Sequence, residues 1–169
     1  MLCSVVNTFL DDFMNRLIDR TYFFDEGIFF ECQRCGACCT GEPGIIYIDD
    51  DDVLRIAQFL DLPASSFIKQ YLYPYGNGFS VLEDSTGKCL LYEDRCTVYP
   101  VRPGQCSTYP FWFENLRSLK KWRRVAKECA GIGRGTHYSK EHILSIVSSN
   151  MDSVIKSRVA GTEAFDGGN

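Results

Sequence analysis

The sequence predicts a small, single α+β domain in which short strands and loops hold a cysteine cluster, flanked by amphipathic helices. Three observations lead to this fold class. The length of 169 residues suits one domain with a substantial core. A composition that is 45% hydrophobic and 14% aromatic argues against intrinsic disorder. Apolar residues recur at helical spacing near both ends, whereas short apolar runs punctuated by Gly, Pro and Asp fill the middle.

Residues 2–19 form the first predicted element, an amphipathic helix that packs on the domain rather than binding a partner. Asn and Asp side chains lie on one face of this helix, and apolar side chains at helical spacing lie on the other. The apolar side chains are Val6, Phe9, Leu10, Phe13, Leu17 and Ile18. We therefore divide the chain into an N-terminal helix extension (1–27), a cysteine-cluster domain (28–160) and a flexible tail (161–169).

Two short strands and two helices follow in the prediction. Residues 28–31 and 45–48 are short apolar runs typical of strands. The four aspartates at 49–52 precede a helical pattern at 53–60, where carboxylates cap the helix and favour its dipole. They could also bind a hard cation, but their spacing does not match a calcium-binding loop. Pro63 suits the first turn of a helix at 64–72.

The second half of the chain predicts two hairpins and a long helix. Residues 79–82 and 89–92 flank the turn residues 84–87. Residues 111–113 and 122–126 are the strands of the second predicted hairpin. The last helix spans 140–159, and Ser139 can cap it.

The densest chemical signal is a run of four cysteines in eight residues, Cys32, Cys35, Cys38 and Cys39. A CxxC turn brings two sulfurs to one metal, and a third cysteine at the same interval can join them on a cluster. Adjacent residues of an extended segment point to opposite sides. Cys38 and Cys39 therefore predict a multinuclear cluster or two neighbouring metals, rather than one small tetrahedral ion.

Four later single cysteines complete the predicted ligand set: Cys89, Cys96, Cys106 and Cys129. With the first four they make eight thiols, enough for two four-ligand sites. An all-thiolate set suits zinc, copper(I) or iron–sulfur. Cys3 is left over, and we interpret it as a small buried hydrophobe. His142 falls in the first turn of the last helix and is expected at the surface, and His137 is a minor ligand candidate.

The eight cysteines also predict a partition. Cys32, Cys35 and Cys38 would wrap one site, completed by a distant cysteine. Cys39 would join Cys89 and Cys96 at the second site. The last two, Cys106 and Cys129, would be divided between the two sites.

Three motifs in this order resemble a known family. They are Cys32-xx-Cys35-Gly36-x-Cys38-Cys39, then Cys96-Thr97-Val98-Tyr99-xx-Arg102-Pro103-xx-Cys106-xx-Tyr109-Pro110-Phe111, then Cys129-x-Gly131-Ile132-Gly133-x-Gly135. The combination is similar to the CxxCxxCC cysteine-cluster family, the YkgJ-like zinc- or iron-chelating domains. The resemblance covers about residues 28–145, and it implies metal chelation by the eight cysteines. The basic region after Phe113 and residues 1–27 depart from it.

Two further features bear on the predicted site. Arg102 is a candidate cofactor-binding residue, because a guanidinium near several thiolates offsets their negative charge. Residues 131–135 contain three glycines but lack the spacing of a dinucleotide-binding loop. We interpret them as a tight turn that brings backbone amides to thiolates.

Partners follow from charge and hydropathy. The net charge of −4 makes nucleic acid a poor default partner, although six cations at 117–127 form a local basic patch. No apolar run is long enough for a membrane span, and the N-terminus lacks the basic region of a signal peptide, so we expect a cytoplasmic protein.

The leading functional hypothesis is metal chelation by a redox or accessory protein, with an iron–sulfur cluster favoured over zinc. A second hypothesis is a structural zinc module that binds a protein or nucleic acid through its basic face. A third is an enzyme that uses the cluster on an unknown substrate. The sequence contains no evident Ser/His/Asp set.

Overall fold

The structure is a computed structural model that describes residues 19–40 and 44–159, with side chains described as far as residue 150. The strands are β1 (Ile28–Phe30), β2 (Tyr47–Ile48), β3 (Leu72–Tyr75), β4 (Gly78–Val81) and β5 (Thr136–Tyr138). The helices are α1 (Asp50–Phe59), α2 (Ala64–Tyr71), α3 (Gly104–Ser107), α4 (Phe113–Leu116), α5 (Leu119–Glu128) and α6 (Lys140–Val159), and a 3₁₀ helix spans Tyr99–Val101. This mixture of helices and short antiparallel strands confirms the predicted α+β class.

The strands form two small antiparallel sheets. In the first sheet β1 pairs with β5, so that Phe29 lies opposite His137. In the second sheet β4 lies between β2 and β3. Because β1 and β5 are far apart in the sequence, the first sheet joins the two ends of the described chain.

The buried apolar side chains form two clusters. The first cluster packs around β1, α5 and α6 and comprises Phe24, Phe30, Phe111, Leu116, Trp122, Cys129, Ile143, Leu144 and Val147. The second cluster packs around the second sheet, α1 and α2 and comprises Ile48, Val53, Ile56, Ala57, Phe67, Leu72, Val81, Leu91 and Val98. The described part of the domain therefore has two small cores instead of one large one.

Helix α1 begins as its aspartates predict. Asp49 is the N-cap residue, and its Oδ1 accepts a hydrogen bond from the backbone N–H of Asp52 at 2.8 Å. The next three aspartates occupy the first turn, where negative charge favours the helix dipole. These carboxylates therefore begin a helix.

The first predicted hairpin is only partly correct. Strand β4 pairs with β3, and the turn between them contains Gly76 in a left-handed conformation. The predicted partner segment touches this region through one isolated bridge, between Glu83 and Cys89. Pro74 is tolerated in β3 because β3 is an edge strand, where a missing N–H need not break the ladder.

The second predicted hairpin is wrong, because residues 113–116 and 119–128 are helices α4 and α5. Ser118 caps α5, and its Oγ accepts from the N–H of Lys121 at 3.3 Å. Trp122 is buried in the first cluster, whereas the basic side chains of α5 are exposed. The apolar positions 119, 122 and 126 have helical spacing, which the aromatic residues nearby obscured.

Helix α6 spans the predicted residues 140–159, and the Oγ of Ser139 accepts from the N–H of His142 at 3.3 Å. Across the described ranges, no helix is both long enough and apolar enough to cross a bilayer. Apart from Asp19, the predicted helix 2–19 lies outside the described residues, as do Cys3 and the tail 161–169. The domain boundaries stay predictions, although Phe24, on the N-terminal side of one of them, is buried in the first cluster.

Candidate metal centre

All eight cysteines of the predicted ligand set line one cavity. They are Cys32, Cys35, Cys38, Cys39, Cys89, Cys96, Cys106 and Cys129. The cavity has a volume of about 60 Å³, whereas a single water needs roughly 10–15 Å³ and a drug-sized ligand roughly 300–1,000 Å³. Its size therefore suits a small inorganic centre better than an organic cofactor.

The cavity lies between the two hydrophobic clusters. Phe30 and Cys129 of the first cluster line one part of it, and Val81, Leu91 and Val98 of the second cluster line another. An apolar wall excludes water and lowers the local dielectric, which strengthens any bond between thiolates and a cation.

Backbone contacts bring distant cysteines to this cavity. The run from Cys32 to Cys39 directly follows β1. The N–H of Cys89 donates to the carbonyl of Cys39 at 2.9 Å, which ties two segments that are far apart in sequence. Cys106 lies in the short helix α3, and Cys129 is the C-cap residue of α5.

Cys38 and Cys39 do not point to opposite sides, which corrects the prediction based on an extended segment. Residues 37–39 form a turn, in which the N–H of Cys39 donates to the carbonyl of Gly36 at 2.7 Å. The turn places the two Sγ atoms 3.7 Å apart. Two sulfurs bound tetrahedrally to one zinc ion, at about 2.3 Å each, would be separated by roughly 3.8 Å. These adjacent cysteines can therefore bind the same metal.

The close pair shares a hydrogen bond that separates the two pKa values. This bond lowers the pKa of Cys38 to about 7, and the positive charge of Arg102 acts in the same direction. The same bond raises the pKa of Cys39, as do burial and the charges of Cys89 and Cys96. Cys38 is therefore the thiol of this pair that ionises near neutral pH.

Backbone amides approach three of the later cysteines, each from the residue two positions ahead. Burial raises the pKa of Cys89 to about 11, and the N–H of Leu91 opposes the rise. Burial likewise raises the pKa of Cys96, against the N–H of Val98. Burial raises the pKa of Cys129 too, against the N–H of Gly131. The amide from the predicted tight turn at 131–135 therefore does approach a sulfur.

The charges that act on each thiol identify its neighbours. After the bond to Cys38 and burial, the charges of Cys89 and Cys96 raise the pKa of Cys39 further. The charge of Cys32 adds to the rise that burial causes in the pKa of Cys96, so the partition into two sites stays a prediction. Burial raises the pKa of Cys129, and the charge of Cys35 adds to the rise. The charge of Cys38 also adds to the rise that burial causes in the pKa values of Cys89 and Cys129. The sulfurs therefore face one continuous cavity.

No three Cys, His, Asp or Glu side chains among residues 19–40 and 44–150 lie close enough together to hold one metal ion. The thiols surround the cavity, with Cys38 and Cys39 as the pair joined by a hydrogen bond. The two histidines lie elsewhere. The Nε2 of His137 contacts the carbonyl of Glu26 at 2.9 Å, and His142 is exposed and stacks on Tyr138.

Arg102 lies at the cavity, and its Nη1 donates to the Sγ of Cys32 at 3.9 Å. The sequence interpretation missed three other lining residues, Arg34, Tyr99 and Tyr109. Their positions in the sequence, close to cysteines, could have indicated them. Arg34 lies within the CxxC turn, and each tyrosine follows a cysteine by three positions.

A small α+β domain with eight thiols around one cavity has the architecture of a cysteine-cluster domain. The sequence matches the CxxCxxCC family, described as a "Putative zinc- or iron-chelating domain", over residues 31–130. The chain belongs to this family of metal-chelating domains. The match includes the eight cysteines and confirms the family that the motifs indicated.

One similar protein is itself described as "Uncharacterized protein MJ0661", from Methanocaldococcus jannaschii. It is 28% identical over 88 residues, which cover 50% of this chain and 46% of that protein. The chain therefore spans less than half the length of this relative. No solved structure matches the chain.

Proposed function

We propose that this protein chelates metal in the cavity through all eight thiols. The observation that carries the proposal is the convergence of Cys32, Cys35, Cys38 and Cys39 with the four later cysteines on one cavity. Packing alone gives no reason to collect eight thiols there, because a buried Cys acts as a small hydrophobe that any core position can hold. Thiolate ligands select zinc, copper(I) or iron–sulfur over hard cations.

An iron–sulfur cluster is the first candidate for the centre. Backbone N–H groups near the sulfurs of Cys89, Cys96 and Cys129 support it, because such hydrogen bonds stabilise thiolate ligands and set the potential of a cluster. The apolar side chains that line part of the cavity support an iron–sulfur cluster as well. They limit the exposure of a cluster to solvent, and this exposure helps to set its reduction potential. With such a cluster the protein would act in electron transfer or as a metal-dependent accessory protein.

Zinc is the second candidate, and one specific distance favours it. The Sγ atoms of Cys38 and Cys39 are 3.7 Å apart, which is close to the distance between two sulfurs that bind one zinc ion tetrahedrally. Eight thiols would then hold two zinc ions. Such a centre would be structural, because four thiolates leave no open position for a substrate.

Anaerobic purification followed by metal and sulfide analysis separates these candidates. We expect iron, inorganic sulfide and a visible absorption band that dithionite bleaches reversibly. A colourless protein with about two zinc ions would instead assign the zinc centre. Protein that takes up neither metal after reconstitution would refute the proposal.

Single Cys→Ser variants test whether the thiols are the ligands. Each of the eight variants should lower the metal content, whereas Cys3→Ser should not, since Cys3 lies outside residues 31–130, which match the family and contain the other eight cysteines. Cys39→Ser and Cys32→Ser also test the partition. Loss of the same metal equivalent in both variants would mean that the two cysteines share one site.

The exposed face of α5 supports a further role, binding to an acidic protein segment. Its cations at positions 120, 123, 124 and 127 have the i, i+3, i+4, i+7 spacing of one helix face, and with Leu119 they line a groove of about 400 Å³. Because the net charge is −4, the positive potential is confined to this one face, which suits a short acidic peptide better than a long nucleic acid. The same helix ends at Cys129, next to the metal cavity.

A fluorescent poly-glutamate peptide tests this face. We expect salt-sensitive binding that the double variant Lys120→Glu/Arg123→Glu abolishes. The matched control Lys69→Glu/Lys88→Glu removes the same charge elsewhere and should leave binding intact. Equal binding by both variants would contradict the assignment, and so would preferential binding of single-stranded DNA.

A further inference from the structure

Tyr99 contacts two guanidinium groups at the cavity. The Cζ of Arg34 is 4.2 Å from the centroid of the Tyr99 ring, and the Cζ of Arg102 is also 4.2 Å from it. Both guanidiniums therefore lie over the same aromatic ring. Each contact is within the range of a favourable cation–π interaction, and we refer to the three residues as the Arg–Tyr–Arg stack.

The Arg–Tyr–Arg stack connects segments that carry different cysteines. Arg34 belongs to the first CxxC turn, between Cys32 and Cys35, and has a φ of 54°. Tyr99 and Arg102 lie between Cys96 and Cys106. The stack therefore fixes the early cysteine run against the later cysteine segment, and the bond from Arg102 to the sulfur of Cys32 reinforces this connection.

The stack also supplies positive charge where negative charge would accumulate. Four thiolates around a divalent ion leave a net charge of about −2, which is costly next to an apolar wall. Among the described residues that line the cavity, Arg34 and Arg102 are the only ones that carry a permanent charge. No Asp or Glu of the described lining competes with the thiolates for these two cations.

We propose that the Arg–Tyr–Arg stack is a positioning unit of the metal centre: it holds the two cysteine segments together and offsets the charge of the metal-bound thiolates. The inference rests on the proposed metal chelation. Tyr99 keeps both guanidiniums beside the sulfurs through its ring, and its hydroxyl also interacts with the Arg102 side chain, so the ring is the part of Tyr99 that both arginines share. The two arginines act through the ligands and do not replace one.

The test compares substitutions that remove either the aromatic ring or the positive charge, and it measures the folding of each variant separately. We expect Tyr99→Leu and Arg102→Gln to weaken metal binding by about 10- to 100-fold, the usual effect of removing a group that orients metal ligands. Tyr99→Phe keeps the ring but removes the hydroxyl beside Arg102, and it should lose less affinity for the metal than Tyr99→Leu. Arg20→Gln, which removes an exposed guanidinium that lines neither the cavity nor the α5 groove, is the control for charge alone.

The readout is competition with a chromogenic chelator, with circular dichroism and gel filtration of each variant as the measure of folding. If the centre is an iron–sulfur cluster, Arg102→Gln should also shift its midpoint potential to a more negative value, because reduction adds negative charge. Arg102→Lys, which retains the charge, should shift the potential less; an equal shift would overturn the role of charge.

Two results would overturn the inference while leaving metal chelation intact: wild-type affinity in Tyr99→Leu and Arg102→Gln, or equal losses in Tyr99→Phe and Tyr99→Leu. A wild-type protein that binds no metal would instead refute the proposed function itself. If Tyr99→Leu does not fold, Arg34→Gln and Arg34→Lys provide the same comparison at an exposed position. Loss of affinity in both Arg34 variants then supports a role for stacking, and wild-type affinity in both contradicts the inference.

Discussion

At the scale of single residues, the cysteine run depends on one glycine. Gly36 has a φ of 79°, a conformation that other L-residues adopt at a cost, and a Cβ at this position would overlap the ring and hydroxyl of Tyr92. The turn that it begins places Cys38 and Cys39 side by side. The spacing of the four cysteines is therefore useful only with glycine at position 36.

We predict that Gly36→Ala lowers the free energy of unfolding by about 1–3 kcal/mol, because of left-handed strain, with a further loss from the overlap with Tyr92. Metal content should fall with it. Chemical denaturation and metal analysis of the purified variant measure both effects.

Gly104→Ala is the matched control, because an added Cβ at Gly104 meets nothing within 4 Å. This variant should keep its metal and its stability. If Gly36→Ala were as stable and as fully loaded as Gly104→Ala, the geometry described for the cysteine turn would be incorrect.

Residue identity alone predicted the set of thiols at the cavity but not their directions. Cysteines at CxxC spacing have few other uses in such density, so their common location could be foreseen. The orientation of Cys38 against Cys39 depends on the turn at Gly36, and an extended segment would have placed them apart. The stacking of Arg34 on Tyr99 joins residues distant in sequence, so local spacing contained no signal for it.

At the scale of elements, the ends of the helices follow simple capping rules. Asp49 begins α1 and Ser118 begins α5, each through its own side-chain oxygen. Both ends could be derived from sequence in principle, since Ser and Asp are the favoured N-cap residues. Helix α5 was nevertheless mistaken for a strand, because Trp and Val also favour strands and their helical spacing covers only two turns.

Ser118→Ala should cost about 0.5–2 kcal/mol of stability, since it removes the acceptor for the N–H of Lys121. Ser118→Asp keeps an acceptor and should retain stability. Thermal unfolding of the two variants side by side tests the helix directly; a strand in this region would make them indistinguishable.

The first turn of α1 gives a pH-dependent prediction. Burial raises the pKa of Asp52 to about 6, and the charge of Asp49 adds to the rise. Between about pH 4 and pH 6 the folded state holds a proton at Asp52 that the unfolded state has lost, so this residue makes stability decrease as pH rises through that range. Above about pH 6 its effect is constant.

Asp52→Asn should therefore be more stable than the wild type at pH 7 and about equal to it at pH 4. Thermal midpoints at the two pH values measure the difference. Asp51→Asn removes a neighbouring exposed carboxylate and is the matched control for the loss of one negative charge. A gain for Asp52→Asn of the same size at both pH values would be evidence against the raised pKa.

At the scale of the whole molecule, the metal cavity takes the place of a continuous core. The two hydrophobic clusters meet at the cavity, with Cys129 belonging to the first and Val98 to the second. Sequence patterns predicted the α+β class, because short strands and helices are local features. They did not predict the division into two clusters, which arises from long-range pairing such as that of β1 with β5.

Removal of the metal should therefore lower the stability of the entire domain. We expect dialysis against a chelator to lower the thermal midpoint and to broaden the transition as the two clusters separate. Adding the metal back should restore the thermal midpoint and the sharp transition. Calorimetry measures the change, and a thermal midpoint that is unaffected by the metal would imply that the clusters hold together without it.

Metal binding should also release protons. Burial raises the pKa of Cys89 to about 11, so this thiol is protonated at pH 8 in the metal-free protein and must lose its proton to bind. Affinity should decrease as pH falls, because protons then compete more strongly for sulfur. Titration calorimetry in buffers of different ionisation enthalpy counts the released protons, and a heat that is the same in all buffers would contradict thiol ligation.

The position of Cys129 at the end of α5 has a consequence for biosynthesis. The cysteines enter the cavity from segments that leave the ribosome at very different times, and Cys129 is the last of them. A nascent chain that ends before α5 offers only an incomplete, solvent-open set of sulfurs. Full loading therefore requires that α5 has been synthesised, and the metal then joins chain segments in the way that a set of covalent crosslinks would.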